Sequence, residues 1–322
     1  MKDLRELPKF RDGISYIYVE RCKIEKDKEA IAIFDKDGKT PIPCASLAML
    51  MVGPGVSITS EAIKNLVNVG CLVVWCGEEG VRFYAQGMGK TRSAKNLLLQ
   101  AYLATHGDLR LKVVRNMYEM RFKEKVTENS TIQQLRGLEG SRVRKTYETW
   151  SKITGIQWKG RNYDFKNWTR SDPVNRALSA ANSCLYGLCH AAIVAAGYTA
   201  AIGFLHTGQQ LSFVYDIADL YKTDITIPLA FKTVKEGTQK IETRIRYTLR
   251  DSFKEQGLLK KIIPDIEKVL TVTDKNGQVI KPEKLKVSET FTGFLWDPKQ
   301  GIISSGKNYS DEMNEKNNKR RK

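Results

Sequence analysis

The chain has 322 residues, 53 of them Lys or Arg against 36 Asp or Glu, for a formal charge of +17. That balance points to a polyanionic partner and excludes a purely structural acidic protein. At 41% apolar residues the chain can close a core, as one large or two modest domains, which excludes disorder throughout.

The first 90 residues read as strands. Ile14-Ser-Tyr-Ile-Tyr-Val19 is rich in β-branched and aromatic residues, and Ala30-Ile-Ala-Ile-Phe34 runs into an Asp35-Lys-Asp-Gly38 turn. Cys71 to Cys76 and Val81-Arg-Phe-Tyr84 follow, joined by the hairpin-like Gly77-Glu-Glu-Gly80. One helix is predicted among them, from the Thr59-Ser60 cap through Glu61-Ala-Ile-Lys-Asn-Leu-Val67.

After the Gly87-Met-Gly-Lys90 run the apolar period becomes helical. Leu97, Leu98, Ala101 and Leu103 mark one helix, and Leu109, Leu111, Val114, Met117 and Met120 a second. A third is predicted over 131–153, and a fourth from Ser171-Asp-Pro173, which supplies a cap and a first-turn proline, to Gly197. Ala177 to Tyr215 is 39 residues without Asp, Glu, Lys or Arg. That length would permit a membrane span. Its Asn182, Ser183, His190, Gly197 and many alanines fit instead a central helix packed on all sides, forming a rigid floor for a site.

These shifts divide the chain into a β-rich domain at 1–90, a helical domain at 91–270 and a mobile tail at 271–322, in which Phe291, Phe294, Leu295 and Trp296 could dock on a partner. The first segment holds 13 basic and 12 acidic residues, net +1; the second 29 and 17, net +12; the third 11 and 7, net +4. Six cysteines (Cys22, Cys44, Cys71, Cys76, Cys184, Cys189) form no C-x-x-C pair and have apolar neighbours, as expected of buried thiols in a reduced compartment. With no apolar segment at the N-terminus of secretion-signal length, a cytoplasmic location is expected.

Three histidines serve the whole chain. His106 precedes Gly-Asp at a helix boundary, and His190 lies inside the Ala-rich helix. His206, in Phe204-Leu-His-Thr-Gly208, is followed ten residues on by Asp216 and then Asp219, which share a helical face three residues apart. An imidazole and two carboxylates suit Mg²⁺ or Mn²⁺, the imidazole favouring Mn²⁺. The competing reading makes Asp216 a helix cap and Asp219 a solvated residue.

A further carboxylate is Glu139, in Gln133-Gln-Leu-Arg-Gly-Leu-Glu-Gly-Ser-Arg-Val-Arg-Lys-Thr-Tyr147, amid Arg136, Arg142, Arg144 and Lys145. It is either a ligand in a phosphate-attracting setting or an ordinary ion-pair partner of Arg136 or Arg142. Arg246, Arg250 and Lys254 recur every four residues, as one basic helix face that is either solvated or bound to phosphates. Gly87-Met-Gly-Lys90 lacks the G-x-x-x-x-G-K-[ST] spacing, so no nucleotide cofactor is expected.

Taken together, Gln134-Leu-Arg-Gly-Leu-Glu-Gly-Ser-Arg-Val-Arg144, Ser183-Cys-Leu-Tyr-Gly187, Ala196 to Gly208 and Leu211-Ser-Phe-Val-Tyr-Asp-Ile-Ala-Asp219 resemble the CRISPR-associated spacer integrase. This is the universal first protein of CRISPR adaptation, and the resemblance, from about Asp12 to Leu270, is closest to subtype I-E. It implies an α+β chain with an N-terminal β-sandwich and a larger all-helical catalytic domain. It assigns the metal ligands to Glu139, His206 and Asp219, with Asp216 as a second acidic position and Tyr186 close to the metal. The implied reaction is transesterification, in which the 3′-hydroxyl of a captured fragment attacks a phosphodiester at the edge of a CRISPR repeat.

The same resemblance implies homodimers flanking a dimer of a small ferredoxin-like adaptation partner, double-stranded DNA with 3′ overhangs as ligand, and no membrane. Lys64, Arg82, Lys222, Arg246, Arg250 and Lys254 are the expected DNA-contacting residues. Two departures stand out: Gln209 follows His-Thr-Gly where some relatives have lysine, and Arg21 stands where some place a tyrosine that wedges the duplex end, with Tyr16 or Tyr18 as substitutes if the register allows. Two rival readings remain: a structure-specific metal-dependent nuclease without integration, and a non-catalytic DNA-binding scaffold.

Overall fold

In the computed structural model the described residues are 16–78, 82–89, 93–127, 130–161, 172–282, 294–297 and 301–304. They form an α+β protein in which two small sheets precede a mostly helical part. The first sheet has the order β1-β5-β7-β8, with β1 (Tyr16–Val19), β5 (Met49–Val52) and β7 (Leu72–Cys76) parallel and β8 (Phe83–Gly87) antiparallel at one edge. The second has the order β4-β3-β2-β6, built from β2 (Lys23–Asp27), β3 (Ala30–Asp35), β4 (Gly38–Pro43) and β6 (Ser57–Ile58).

The β3–β4 hairpin forms where expected: the Asp37 amide donates to Asp35 Oδ1 at 2.9 Å, and Gly38 takes φ +120°, open to glycine alone at little cost. Ile24, Ile31 and Ile33 of one sheet meet Leu50, Val52 and Val73 of the other in a shared core. Helix α1 (Ser60–Asn68), capped by Thr59, adds Ala62 and Leu66 to it. Tyr16 and Tyr18 stand on the opposite face of β1. Tyr18 lies over Gly53 and donates to Glu20, while Tyr16 is exposed. Arg21 sits at φ +51° and donates its backbone N–H to Pro54 O.

The helical part comprises α2 (Lys95–Thr105), α3 (Gly107–Phe122), α4 (Ile132–Thr154), α5 (Pro173–Ala195), α6 (Ser212–Ala218), α7 (Ile227–Glu236), α8 (Ile241–Glu255) and α9 (Leu258–Leu270). Helix α4 opens with a capping box between Thr131 and Gln134, and α5 opens on an Asp172 cap with Pro173 in its first turn. Helix α5 is apolar and long enough to cross a membrane, yet it is the hub of the fold, packed by α6, α7, α8, α9 and the β7–β8 strands. Its Ala177, Ala181, Ala191 and Ala192 are fully buried, and small side chains there let the neighbours approach closely.

All six cysteines are buried thiols outside any disulfide, and burial pushes the Cys76 and Cys184 pKa values up to about 12. The chain divides into two compact units, 1–282 and 283–322. The first runs past Leu270: Val272 is buried and Thr273 bridges to Val279. In the second, β9 (Phe294–Asp297) pairs with β10 (Gly301–Ser304) as a hairpin, whereas Phe291 lies outside the described residues.

Candidate active site

Glu139, His206, Asp216 and Asp219 come from three elements and meet at one place. Asp216 lies on α6 and is fully buried, so its carboxylate must be answered inside the protein. The loop before α6 answers it: Oδ2 accepts the backbone N–H groups of Phe204 (2.6 Å) and Leu205 (3.1 Å), and Oδ1 accepts the N–H of His206 at 2.9 Å. His206 Nδ1 also lies 2.7 Å from Oδ1. The loop is tight enough that a Cβ on Gly203 would run into the His206 carbonyl oxygen, which explains the glycine.

With Nδ1 engaged, the Nε2 edge of His206 faces Asp219, 4.0 Å from its Oδ2. The Asp216 hydrogen bond is the chief reason the His206 pKa stands above its ordinary value; burial opposes it and the Asp219 charge adds to it. Asp219 caps the C-terminal end of α6 and is bracketed by cations, Lys222 Nζ at 2.5 Å and Arg121 Nη2 at 3.0 Å. Burial works to raise its pKa, but these charges prevail and hold the carboxyl below its usual range. The Lys222 ammonium also lies 4.8 Å from the centre of the Tyr186 ring. Tyr215 packs edge-on against both Tyr186 and His206, linking the α5 floor to the loop.

Glu139 projects from α4. It pairs with neither Arg136 nor Arg142 among the contacts seen, Arg142 donating instead to the Phe122 carbonyl at 2.8 Å. Its partners are Tyr118, which donates to Oε2 at 3.1 Å, and Arg121, whose Nη1 meets Oε1. Burial, and next the Glu139 charge, push the Tyr118 hydroxyl pKa well up. Arg121 is thus the bridge that joins Glu139 to Asp219, and it was not anticipated from sequence. Its signal is visible in α3: Val114, Met117, Tyr118 and Arg121 occupy i, i+3, i+4 and i+7, so a charged residue continues the apolar stripe inward.

Of the expected DNA-contacting residues, Lys222 belongs to this site, half-buried and paired with Asp219. Arg82 and Arg246 line a second, open cleft with Tyr84 and Tyr247, between the β strands and α8. Arg250 lies over the Tyr247 ring and donates to Asp251, Lys254 is exposed one turn on, and Lys64 is exposed on α1 beside Glu61. Gln209 is exposed at the turn entering α6, where its backbone exchanges hydrogen bonds with Ser212.

Among the described residues no three His, Cys, Asp or Glu side chains lie close enough together to hold a metal ion as they stand. The donors are nonetheless those a hard divalent cation takes: two carboxylates and an imidazole nitrogen left free by its other hydrogen bond. The position between the two carboxylates is filled by the Arg121 guanidinium. The donor chemistry therefore fits an ion, and room for it depends on that side chain.

Two sheets followed by a helical part around a buried apolar helix define the fold that carries this site. A model of the CRISPR associated protein Cas1 family matches residues 15–124 and 118–267. The CRISPR-associated endonuclease Cas1 2 of Thermus thermophilus is 47% identical over 311 residues, 97% of this chain and 94% of that protein. The CRISPR-associated endonuclease Cas1 of Escherichia coli is 47% identical over 262 residues, 81% and 86% of the two chains. A crystal structure of TtCas1 in complex with DNA superposes with a TM-score of 0.76 at 50% identity, over 82% of this chain and 99% of that one. The chain belongs to the Cas1 family.

Proposed function

We propose that this chain is a metal-dependent DNA integrase of CRISPR adaptation, of subtype I-E, which inserts captured DNA fragments into the CRISPR array as new spacers. The observation that carries the reading is the meeting of Glu139 and Asp219, from α4 and the end of α6, at one pocket, with His206 of the 203–211 loop 4.0 Å from Asp219, all within the segment of net charge +12. The endonuclease names of the relatives and the DNA complex of one of them support nuclease chemistry on DNA.

The proposed ligands of Mg²⁺ or Mn²⁺ are Glu139, His206 and Asp219; the ion, when bound, supplies Lewis-acid polarisation of a phosphoryl oxygen and stabilises charge on the attacking or leaving oxygen. Asp216 holds His206 in the tautomer that carries hydrogen on Nδ1 and leaves Nε2 free. Lys222, lying between Asp219 and Tyr186, is placed to neutralise charge growing on a phosphodiester, and Tyr186 fixes the ammonium. The bond broken and the bond formed are both phosphodiesters, so no nucleotide is consumed. Water in place of the 3′-hydroxyl gives strand cleavage from the same groups.

Residues 1–90 are assigned to dimerisation and DNA contact, 91–270 to catalysis, and the segment from 283, beyond the first compact unit, to a tail that meets a partner. The working assembly is homodimers flanking a dimer of the small ferredoxin-like adaptation partner, in the cytoplasm. Its DNA track includes Lys64, Arg82, Arg246, Arg250 and Lys254.

The test uses the purified protein with its partner, a labelled duplex bearing short 3′ overhangs, and a supercoiled repeat-bearing plasmid, in Mg²⁺ and in Mn²⁺. Joined strands are expected from the wild type, and none from His206→Ala with DNA binding kept. Integration by the variant overturns the assignment. Shortened strands without joined ones in the wild type favour the plain nuclease, and binding indifferent to either metal, without turnover, the scaffold.

A further inference from the structure

Charge in the site is balanced before any metal arrives. Asp216 is matched by three backbone N–H groups and the His206 ring, so Glu139 and Asp219 are the two carboxylates that face the pocket. Two cations answer them, and they are unlike. Lys222 lies one turn from Asp219 and serves that carboxylate alone, with its ammonium on the Tyr186 ring. Arg121 comes from α3 and ties carboxylates from two other helical elements together through one guanidinium, at the point where a cation shared by Glu139 and Asp219 has to sit.

The Arg121 side chain is buried and lies against the Tyr118 ring, but its hydrogen bonding is incomplete for a permanent structural link. Nε is buried and without a hydrogen-bond partner, and the contact of Nη2 with the Asp216 carbonyl, at 3.5 Å, is long. A guanidinium offers five N–H donors in a rigid fork, and here the Nε donor goes unused. Arg121 is held chiefly by the two carboxylates that a divalent ion would take. If guanidinium, ammonium and divalent ion shared the pocket, four positive charges would face two negative ones, where little water screens them. The cleft runs on past Arg121 to Val143, Tyr147 and Thr223, which leaves room for a long side chain to swing.

We propose that Arg121 is a resident counter-cation: it holds the metal-free site together by occupying the divalent-ion position between Glu139 and Asp219, and it leaves that position when an ion enters. This rests on the reading of Glu139, His206 and Asp219 as ligands. Metal entry is then an exchange of one cation for another, so the protein stays folded without metal at the expense of part of its metal affinity.

The experiment measures Mn²⁺ binding by electron paramagnetic resonance of the free ion, and thermal unfolding in EDTA and in saturating Mn²⁺, for the wild type and Arg121→Gln. The variant is expected to bind Mn²⁺ roughly tenfold tighter or better, to melt below the wild type in EDTA, and to gain more on Mn²⁺ addition. Equal or weaker Mn²⁺ binding by a folded variant overturns the exchange while leaving the metal site standing. Absence of bound ion in both proteins removes the metal reading itself, and the exchange with it. A wild-type measurement covers a variant that fails to fold: with ¹⁵N-labelled arginine, and Arg121→Lys to assign the signal, the Arg121 Nε–H resonance should move on Mg²⁺ saturation. A resonance unmoved at saturation overturns the proposal.

Discussion

The Asp216 carboxylate is used up by its own chain: three backbone N–H groups and the His206 ring surround it, and no solvent reaches it. Among the described residues its only side-chain contact at the site is the His206 ring, which it holds in place. Asp216→Asn replaces an acceptor with an amide donor opposite backbone donors, so a loss of about 3 kcal/mol is expected in urea unfolding. The sign for His206 follows from its raised pKa. Stability from its charged form is fully present below its ordinary value near 6.5, and is lost as pH rises through the higher folded value. In EDTA, the stability difference between wild type and His206→Gln should therefore shrink with rising pH above about 6.5. A difference that grows with pH would contradict the arrangement. Neither the loop cradle nor the role of Asp216 was legible in the sequence, where its spacing to Asp219 allowed a cap or a ligand; distinguishing an orienting carboxylate from a facing one takes the backbone of 204–206.

Helix α4 carries two glycines, Gly137 and Gly140, in its interior on either side of Glu139, both exposed and with no atom near where a Cβ would stand. Glycine there costs helix stability and has no packing reason on its own chain. Gly137→Ala and Gly140→Ala should each raise stability by about 0.5–1 kcal/mol in thermal unfolding. If DNA passes close to Glu139, they should also slow turnover, a stability gain opposed to an activity loss. Helix α5 offers a second test. His190 stacks on Phe83 of β8 with ring centroids 3.6 Å apart, and burial lowers its pKa to about 4. Its neutral form is kept in the fold, so its contribution is full above about 6.5 and declines as pH falls towards 4, by up to about 3 kcal/mol. His190→Phe should flatten that part of the pH–stability curve. Helices were readable because caps and apolar period agree, as at Thr131 and Asp172–Pro173. The parallel pairing of β1, β5 and β7 was not, because it joins runs distant in sequence and leaves no local mark.

At the scale of the molecule, net charge along the chain separates into two uses that the sequence could not tell apart. Arg82 and Arg246, far apart in the chain, line one open cleft with two tyrosines, whereas Lys222 is half-buried and paired with Asp219. A basic residue counted along the chain carries no sign of whether a carboxylate waits for it, which is why Lys222 was grouped with the outer track and Arg121 was overlooked. The difference is measurable in salt. A cation that meets a DNA phosphate releases a condensed counterion, so removing one such cation should reduce the slope of log affinity against log salt by about 0.9. Arg82→Ala and Arg246→Ala should each lower the slope by that amount and weaken binding equally for unrelated duplex sequences, since interactions with the DNA backbone carry no sequence information. Lys222→Ala should leave the slope nearly unchanged, because its charge already answers Asp219; the substitution should appear instead as lower stability in EDTA and as abolished turnover. A full slope change for Lys222→Ala, with none for Arg82→Ala, would reverse this division between track and site.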